Sequence, residues 1–272
     1  MNILISGASG FFGSNFIRLA TRRGHQIYAI SRYKQKKIKN VKWIIGDLDI
    51  DSKEFKKCEV LIHFASAGVT NKNIAFKKAF ETNVIKSGKF LINAAKSGCL
   101  KWVIIGSSSE YGKTLQLGKP VNIKSKRLPV CNYGRTKSIF SDLVVILSKI
   151  LKSQYRIMRT FPTYGINENE KRLVPSLLRA IKEKKNFVIN NPTEIRDFSN
   201  IDEIMKKVLK ATNFPKKDNE IYEEWHLASG KAVKVSDFVK NICISNKYKQ
   251  KLILKKNKSN LFHHISDKKS IW

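Results

Sequence analysis

The residues Gly7-Ala8-Ser9-Gly10-Phe11-Phe12-Gly13 follow a short apolar run and lead directly into an amphipathic stretch. A glycine series at such a junction admits few folds. Gly7 permits a tight turn, Gly10 lets backbone approach a pyrophosphate, and Gly13 lets helix and strand pack closely. The N-terminus of the helix that follows supplies unpaired N–H groups and a partial positive charge suited to phosphate. The spacing is G-x-x-G-x-x-G rather than G-x-G-x-x-G, so its meaning rests on its place between strand and helix.

The rest of the chain fits that opening. Apolar runs at 2–6, 26–31, 41–46, 60–64, 102–106 and 155–159 read as strands, and stretches at 11–23, 73–96 and 133–152 read as helices. Continuously apolar strands in β/α alternation predict a parallel sheet covered on both faces. Right-handed crossovers make it a doubly wound α/β Rossmann sheet. Beyond residue 165 the pattern loosens into helices at 173–185, 202–211 and 235–244 and strands at 187–190, 225–228 and 252–254. The expected organisation is a dinucleotide-binding Rossmann domain over 1–165, carrying the catalytic residues. A smaller C-terminal α/β substrate-binding lobe would cover 166–272, interleaved with it in space.

Around the glycine turn, Ser9, Phe11 and Phe12 join Gly7, Gly10 and Gly13 as expected cofactor contacts. The end of the second strand reads the dinucleotide. An acid there holds the ribose hydroxyls of NAD, whereas a cation accommodates the 2′-phosphate of NADP. Ser31-Arg32 stands there, with Lys34 nearby, and the next acid is Asp47. NADP (as NADPH) is the expected cofactor, with NAD as the alternative and Arg32 as a mere solvated cation the competing reading. Asp47, followed by Leu48 after the third strand, is placed to accept from an adenine amino group.

Tyr133-Gly134-Arg135-Thr136-Lys137 puts a phenol and an ammonium on one helix face. A phenol's ordinary pKa near 10 is too high for easy proton exchange at neutral pH, and a neighbouring ammonium stabilises the phenolate. The run 106–112, Gly-Ser-Ser-Ser-Glu-Tyr-Gly, ends another strand, and a hydroxyl there can bond the same substrate oxygen.

Charge pulls elsewhere. The chain carries 53 basic and 21 acidic residues, a formal net charge of +32, which raises nucleic acid or another polyanion as partner. Only 11 of the cations are arginines, the residue suited to bidentate phosphate contacts. Lysines spread over solvated faces account for the rest. Cys58, Cys99, Cys131 and Cys243 are far apart, form no metal-ligand spacing and no disulfide framework, and point to a reducing, cytoplasmic setting. No apolar run is long enough to span a bilayer, and no signal peptide is read. His63 follows a strand without ligand partners and is expected to be structural; His263 and His264, in a basic tail, are expected to be solvated.

Several segments together resemble the extended short-chain dehydrogenase/reductase superfamily, in its NAD(P)-dependent sugar-nucleotide epimerase, dehydratase and reductase branch. They are GASGFFG at 7–13, GDL at 46–48, HFAS at 63–66, TNV at 82–84, GSSSEYG at 106–112, YGRTK at 133–137 and IRDFSNIDEI at 195–204. The resemblance implies a nucleoside-diphosphate sugar as substrate and hydride exchange between its C4 and a nicotinamide. It makes Tyr133 the acid/base, Lys137 its partner and Ser107 the hydroxyl. Phe64, Ala65, Ser66, Asn83 and Phe161 would line the cofactor pocket. Ser108, Ser109, Val174 and Arg196 would meet the substrate, Arg196 at its diphosphate. It also implies a homodimer through the helices near 73–96 and 133–152.

Departures from the family pattern narrow the activity. Dehydratases of this kind carry an acid two residues beyond the catalytic hydroxyl; here Ser109 stands there and Glu110 comes one residue too late. The segment most resembles that of 4-keto-6-deoxy-sugar reductases, which take fresh NADPH. A 4-epimerase with bound NAD is the alternative, and a non-catalytic RNA-binding member of the fold is the alternative of another class. Pro162 replaces the Asn of the family's R-P-x-N-x-x-G pattern, so the sugar geometry is expected to differ. The last residues, 267–272, fall where relatives run on to a further helix, which implies a shortened lobe or an incomplete sequence.

Overall fold

Each apolar run becomes a strand because a parallel strand buried on both faces has no polar side to show. The computed structural model describes residues 1–69, 74–215, 221–255 and 261–272. In chain order the strands are β1 (Asn2–Ser6), β2 (Gln26–Ser31), β3 (Val41–Ile45), β4 (Val60–His63), β5 (Lys101–Ser107), β6 (Gln154–Thr160) and β7 (Thr163–Tyr164). They continue as β8 (Phe187–Ile189), β9 (Ile195–Asp197), β10 (Ser199–Asn200), β11 (Tyr222–Leu227), β12 (Ala232–Lys234) and β13 (Leu252–Leu254). The helices are α1 (Phe11–Arg22), α2 (Phe76–Phe80), α3 (Ser87–Lys96), α4 (Asn132–Ile150), α5 (Leu173–Lys182), α6 (Ile201–Ala211) and α7 (Val235–Ser245).

Seven strands form one sheet in the order β11-β6-β5-β4-β1-β2-β3, every neighbouring pair parallel. The strand order reverses at β1, and the crevice beyond the carboxyl ends of β1 and β4 is where such a sheet receives a ligand. Side chains alternate between two cores. Ile3, Ile5 and Ile62 pack with Phe16, Ile17, Ile204 and Val208 of α1 and α6. Leu4, Leu61 and Ile104 pack with Phe90, Leu91, Phe140 and Val144 of α3 and α4. Each such side chain contributes about 1.5–3 kcal/mol by leaving water.

Two elements differ from expectation. The helix expected over 73–96 begins at Phe76 and passes through a π-helical turn, Glu81–Lys86, before α3; Asn73 lies outside the described residues. The extra residue in that turn carries Asn83 to a buried position. The strand expected at 225–228, within the smaller lobe, is instead β11, the seventh strand of the large sheet. Its sequence, Tyr-Glu-Glu-Trp-His-Leu, is half polar, which conceals it. Glu223 and Glu224 are matched by cations of β6, at 2.7 Å from Arg156 and 2.5 Å from Arg159. Pairing of charge along neighbouring strands makes an acidic strand acceptable at the sheet edge.

Beyond Tyr164, then, the chain returns α6 and β11 to the large sheet. It also forms a separate cluster in which α5 and α7 enclose Leu177, Ile189, Val235 and Val239. Among the described residues no helix is long and apolar enough to cross a membrane.

Candidate active site

The glycine turn is a backbone-on-backbone contact. Gly7 has φ +65°, and a Cβ there would stand 2.6 Å from the Ala65 nitrogen. A Cβ on Gly13 would lie 2.3 Å from the Gly7 carbonyl oxygen. No side chain caps α1 at Gly10, so its first N–H groups are left for a ligand. Ser9 and Gly10 are exposed at the mouth. Phe11 and Phe12 meet edge to face, and Phe12 and Phe16 flank Phe64. A pyrophosphate-bearing dinucleotide fits this cradle.

At the end of β2 the Ser31 hydroxyl is spent internally, donating to the Tyr33 carbonyl at 2.8 Å and accepting from Gln35. Arg32 is the exposed group, its guanidinium 5.8 Å from the Tyr33 ring centre. Asp47 accepts from Lys86 at 2.6 Å and from the Leu48 N–H at 2.8 Å. Partial burial pushes its pKa up, but the Lys86 hydrogen bond, the Leu48 N–H and the charges of Lys86 and Arg32 leave it below the ordinary value. Leu48 itself is buried in the core.

At the end of β4, His63 shares a 2.8 Å hydrogen bond with Ser6, and Ser6 accepts from the Ala65 N–H. Burial, then the Lys137 charge, holds His63 well below its ordinary pKa, so it is a neutral structural residue. Asn83 clamps the segment beyond it. It accepts from the Ala67 N–H at 2.7 Å and from Ser66, and donates to the Ala67 carbonyl and to Thr136 on α4. Its amide therefore positions the loop that carries Ser66. Phe161, expected at the cofactor, instead puts its ring in a small cluster with Tyr111, Leu115 and Val121, 4.9 Å from the His226 ring. Its neighbour Pro162 leaves a carbonyl that accepts from Ser199 across the β7–β10 pair.

Tyr133, Ser107 and Ser66 converge. The side chains of Ser107 and Ser66 both act on the Tyr133 phenol and favour its ionisation. Burial raises the phenol's pKa and Glu110 adds to the rise, while the two serines and Arg172 oppose it. The helix reaches this position because residue 134 is glycine: a Cβ there would lie 2.4 Å from the Ser109 carbonyl oxygen. Lys137, one turn on, donates to the Ile105 carbonyl of β5 at 2.6 Å. Burial lowers its pKa to about 8 against an upward pull from Glu110.

Glu110 is the hub beneath these groups. Fully buried, it accepts from the Ser107 N–H at 2.8 Å, from Ser141 of α4 at 3.0 Å and from Arg159 of β6 at 2.9 Å. Ser107 in turn accepts from the Ser109 N–H, closing a capping box. One carboxylate thus locks the serine turn to the helix that bears Tyr133 and Lys137. Gly106 makes room for it, since a Cβ there would press on Arg159 and Glu110 at 2.9 Å.

On the far side of the cleft, Arg196 pairs with Glu194, and its Nε is buried without a partner. An orphaned guanidinium donor fits an anionic ligand. Val174 is buried in the first turn of α5, just after Arg172, which pairs with Glu168. His264 is not solvated as expected: it shares a 2.8 Å hydrogen bond with the Ser108 hydroxyl, and His263 accepts from the Ile195 N–H. Sequence reasoning missed Arg172, Glu110 and His264 as parts of the site. Arg172 lies two residues before Val174, and Glu110 lies inside the serine run. His264 carries no local signal.

Known proteins resemble this chain over most of its length. The sequence profile of the NAD dependent epimerase/dehydratase family matches residues 3–223. CDP-abequose synthase of Salmonella typhimurium is 24% identical over 250 residues, covering 87% of this chain and 78% of that protein. UDP-glucose 4-epimerase of Lactobacillus helveticus is 21% identical over 247 residues, covering 81% and 74%. Among solved structures, MoeE5 in complex with UDP-glucuronic acid and NAD superposes with a TM-score of 0.86 at 19% identity, covering 99% of this chain and 91% of that one.

Proposed function

The chain belongs to the NAD dependent epimerase/dehydratase family, and from that premise we propose that it reduces the C4 ketone of a nucleoside-diphosphate 4-keto-6-deoxy sugar with NADPH. The observation that carries the choice is Glu110. An acid free to remove a carbon-bound proton would point to dehydration, but this carboxylate is consumed by Ser107, Ser141 and Arg159. What remains in the cleft is a proton donor and its hydroxyl partners, enough for reduction of a ketone.

Gly7, Gly10 and Gly13, the first turn of α1 and Arg32 would hold the dinucleotide, with Phe64, Ala65 and Ser66 beside it. When bound, a reduced nicotinamide supplies the hydride equivalent for the ketone carbon. Tyr133 delivers a proton to the ketone oxygen, completing the alcohol, and solvent restores the phenol. Ser107 and Ser66 ease ionisation of the phenol, and the Lys137 charge favours the phenolate left behind. Arg196, with its unpartnered Nε, would meet the diphosphate, and Ser108, Ser109 and Val174 the rest of the substrate. The relative named for the synthesis of CDP-abequose supports a nucleoside-diphosphate sugar as substrate.

The exposed Arg32 at the end of β2, with no acid beside it on that strand, supports NADPH over NADH. Arg32→Ala is expected to weaken NADPH about tenfold and leave NADH unchanged, a difference of about 1.4 kcal/mol that fluorescence titration reads directly. The second reading, an epimerase with bound NAD, is favoured by the UDP-glucose 4-epimerases among its relatives. NADPH consumption with a panel of 4-keto nucleotide sugars separates them. Interconversion of UDP-glucose and UDP-galactose without added reductant would overturn the reductase reading. Exposed Ile139, Ile146 and Ile150 on α4, with Phe76 and Ile85, support a homodimer through these helices; light scattering giving a monomer mass would exclude it. Three of the four cysteines are buried thiols, which fits a reducing, cytoplasmic setting.

A further inference from the structure

The end of the chain is a strap built into the site. Residues 261–272 exchange backbone hydrogen bonds with three separate segments. His263 donates to Leu115, Ile265 accepts from Val121, His264 accepts from Asp197 at 2.8 Å, and Trp272 donates to His226. The Phe262 N–H also donates to Glu194, the acid that holds Arg196. These contacts fix the strap on both sides of His264. The imidazole then meets the Ser108 hydroxyl at 2.8 Å, one residue from Ser107, whose side chain acts on the Tyr133 phenol.

We infer that His264 is a positioning residue for the sugar ring of the substrate, orienting the Ser108 hydroxyl between the reacting ketone and the arginine that meets the diphosphate. This rests on the nucleotide-sugar reading above. His264 is half-buried, and its ring is tied to Ser108. It is also neutral: burial, then Arg196, Arg172 and His263, lower its pKa to about 3. A neutral imidazole has one donor and one acceptor nitrogen. The bond to Ser108 uses one nitrogen and sets the role of the other, which suits recognition of hydroxyls rather than of phosphate. The strap thus contributes sugar discrimination, and Arg196 contributes charge.

The test is calorimetric binding to the whole protein, with UDP, CDP, GDP and dTDP and their glucose or mannose conjugates as probes. His264→Ala should weaken the conjugate that wild type binds by about fivefold to tenfold, the worth of one hydrogen bond. It should leave the matching nucleoside diphosphate within about twofold. His264→Asn, which keeps a partner for Ser108, should recover most of the loss. Ser108→Ala should match His264→Ala, and the double variant should lose no more than either. In turnover, KM should rise with kcat little changed. Equal loss of the diphosphate and the conjugate, or no loss of either, overturns the inference while leaving the nucleotide-sugar reading intact. Wild type binding none of the probes overturns both.

Discussion

The two walls of the cleft are made by different means. One wall, at the glycine turn, is backbone: a glycine at φ +65°, two glycines whose missing Cβ atoms leave room for carbonyls, and an uncapped helix start. The opposite wall is side chains drawn from distant parts of the chain and locked by buried charge. Glu110 joins Ser107 to α4 and β6, Arg159 passes the connection to Glu224 of β11, and His264 comes from the chain's end. A backbone wall tolerates changes in side chains but not an added methyl. A side-chain wall admits new side-chain chemistry but depends on every charge keeping its partner.

The largest expected effect is chemical. Tyr133→Phe should lower turnover by about 10²–10⁴-fold while NADPH affinity, measured by fluorescence, stays near wild type. Next is the hub of the side-chain wall. Glu110→Gln leaves Arg159 buried with Glu224 as its remaining carboxylate and should cost about 3 kcal/mol in chemical denaturation. Turnover should fall with it, because the Ser107 turn loses its anchor. On the backbone wall, Gly13→Ala forces a methyl to 2.3 Å from the Gly7 carbonyl. A loss of about 1–3 kcal/mol is expected, with NADPH affinity falling further than turnover at saturating cofactor. Equal responses from the two walls would break the distinction.

The smallest effect is in pH. Lys137, with its pKa lowered by burial to about 8, is charged below that pH and neutral above it. Turnover should therefore fall as pH rises through about 8. The unfolded lysine keeps its proton up to about 10.4, so folding expels a proton between these values. This group's contribution to stability should rise with pH across that window while activity falls, which denaturation curves alongside rate profiles will show. In Glu110→Gln the upward pull on Lys137 is gone, and the activity limb should move to lower pH.

The backbone wall was legible because its signals are consecutive: the turn at 7–13, the end of β2, and residues 63–66. The Tyr133–Lys137 pair was legible for the same reason, four residues on one helix face. Glu110 was visible only as an acid in the wrong place for elimination, and its partner Arg159 lies on a strand 49 residues later. β11 was hidden because its glutamates look solvent-exposed until β6 places arginines beside them. Phe161 was read as a pocket residue, yet its ring fills a small cluster that forms only when β11 brings His226 alongside.

By itself, then, the sequence determined the parallel α/β sheet, the glycine turn between β1 and α1 and the phenol–lysine face. Backbone conformation and helix periodicity act over a few residues and need no partner from elsewhere. Tertiary structure decided what Glu110 does, that β11 completes the sheet, and that a histidine near the chain's end stands beside the reactive serine turn. Each of those depends on a buried charge or hydrogen bond meeting a partner far along the chain. An isolated residue carries no mark of the partner it will find.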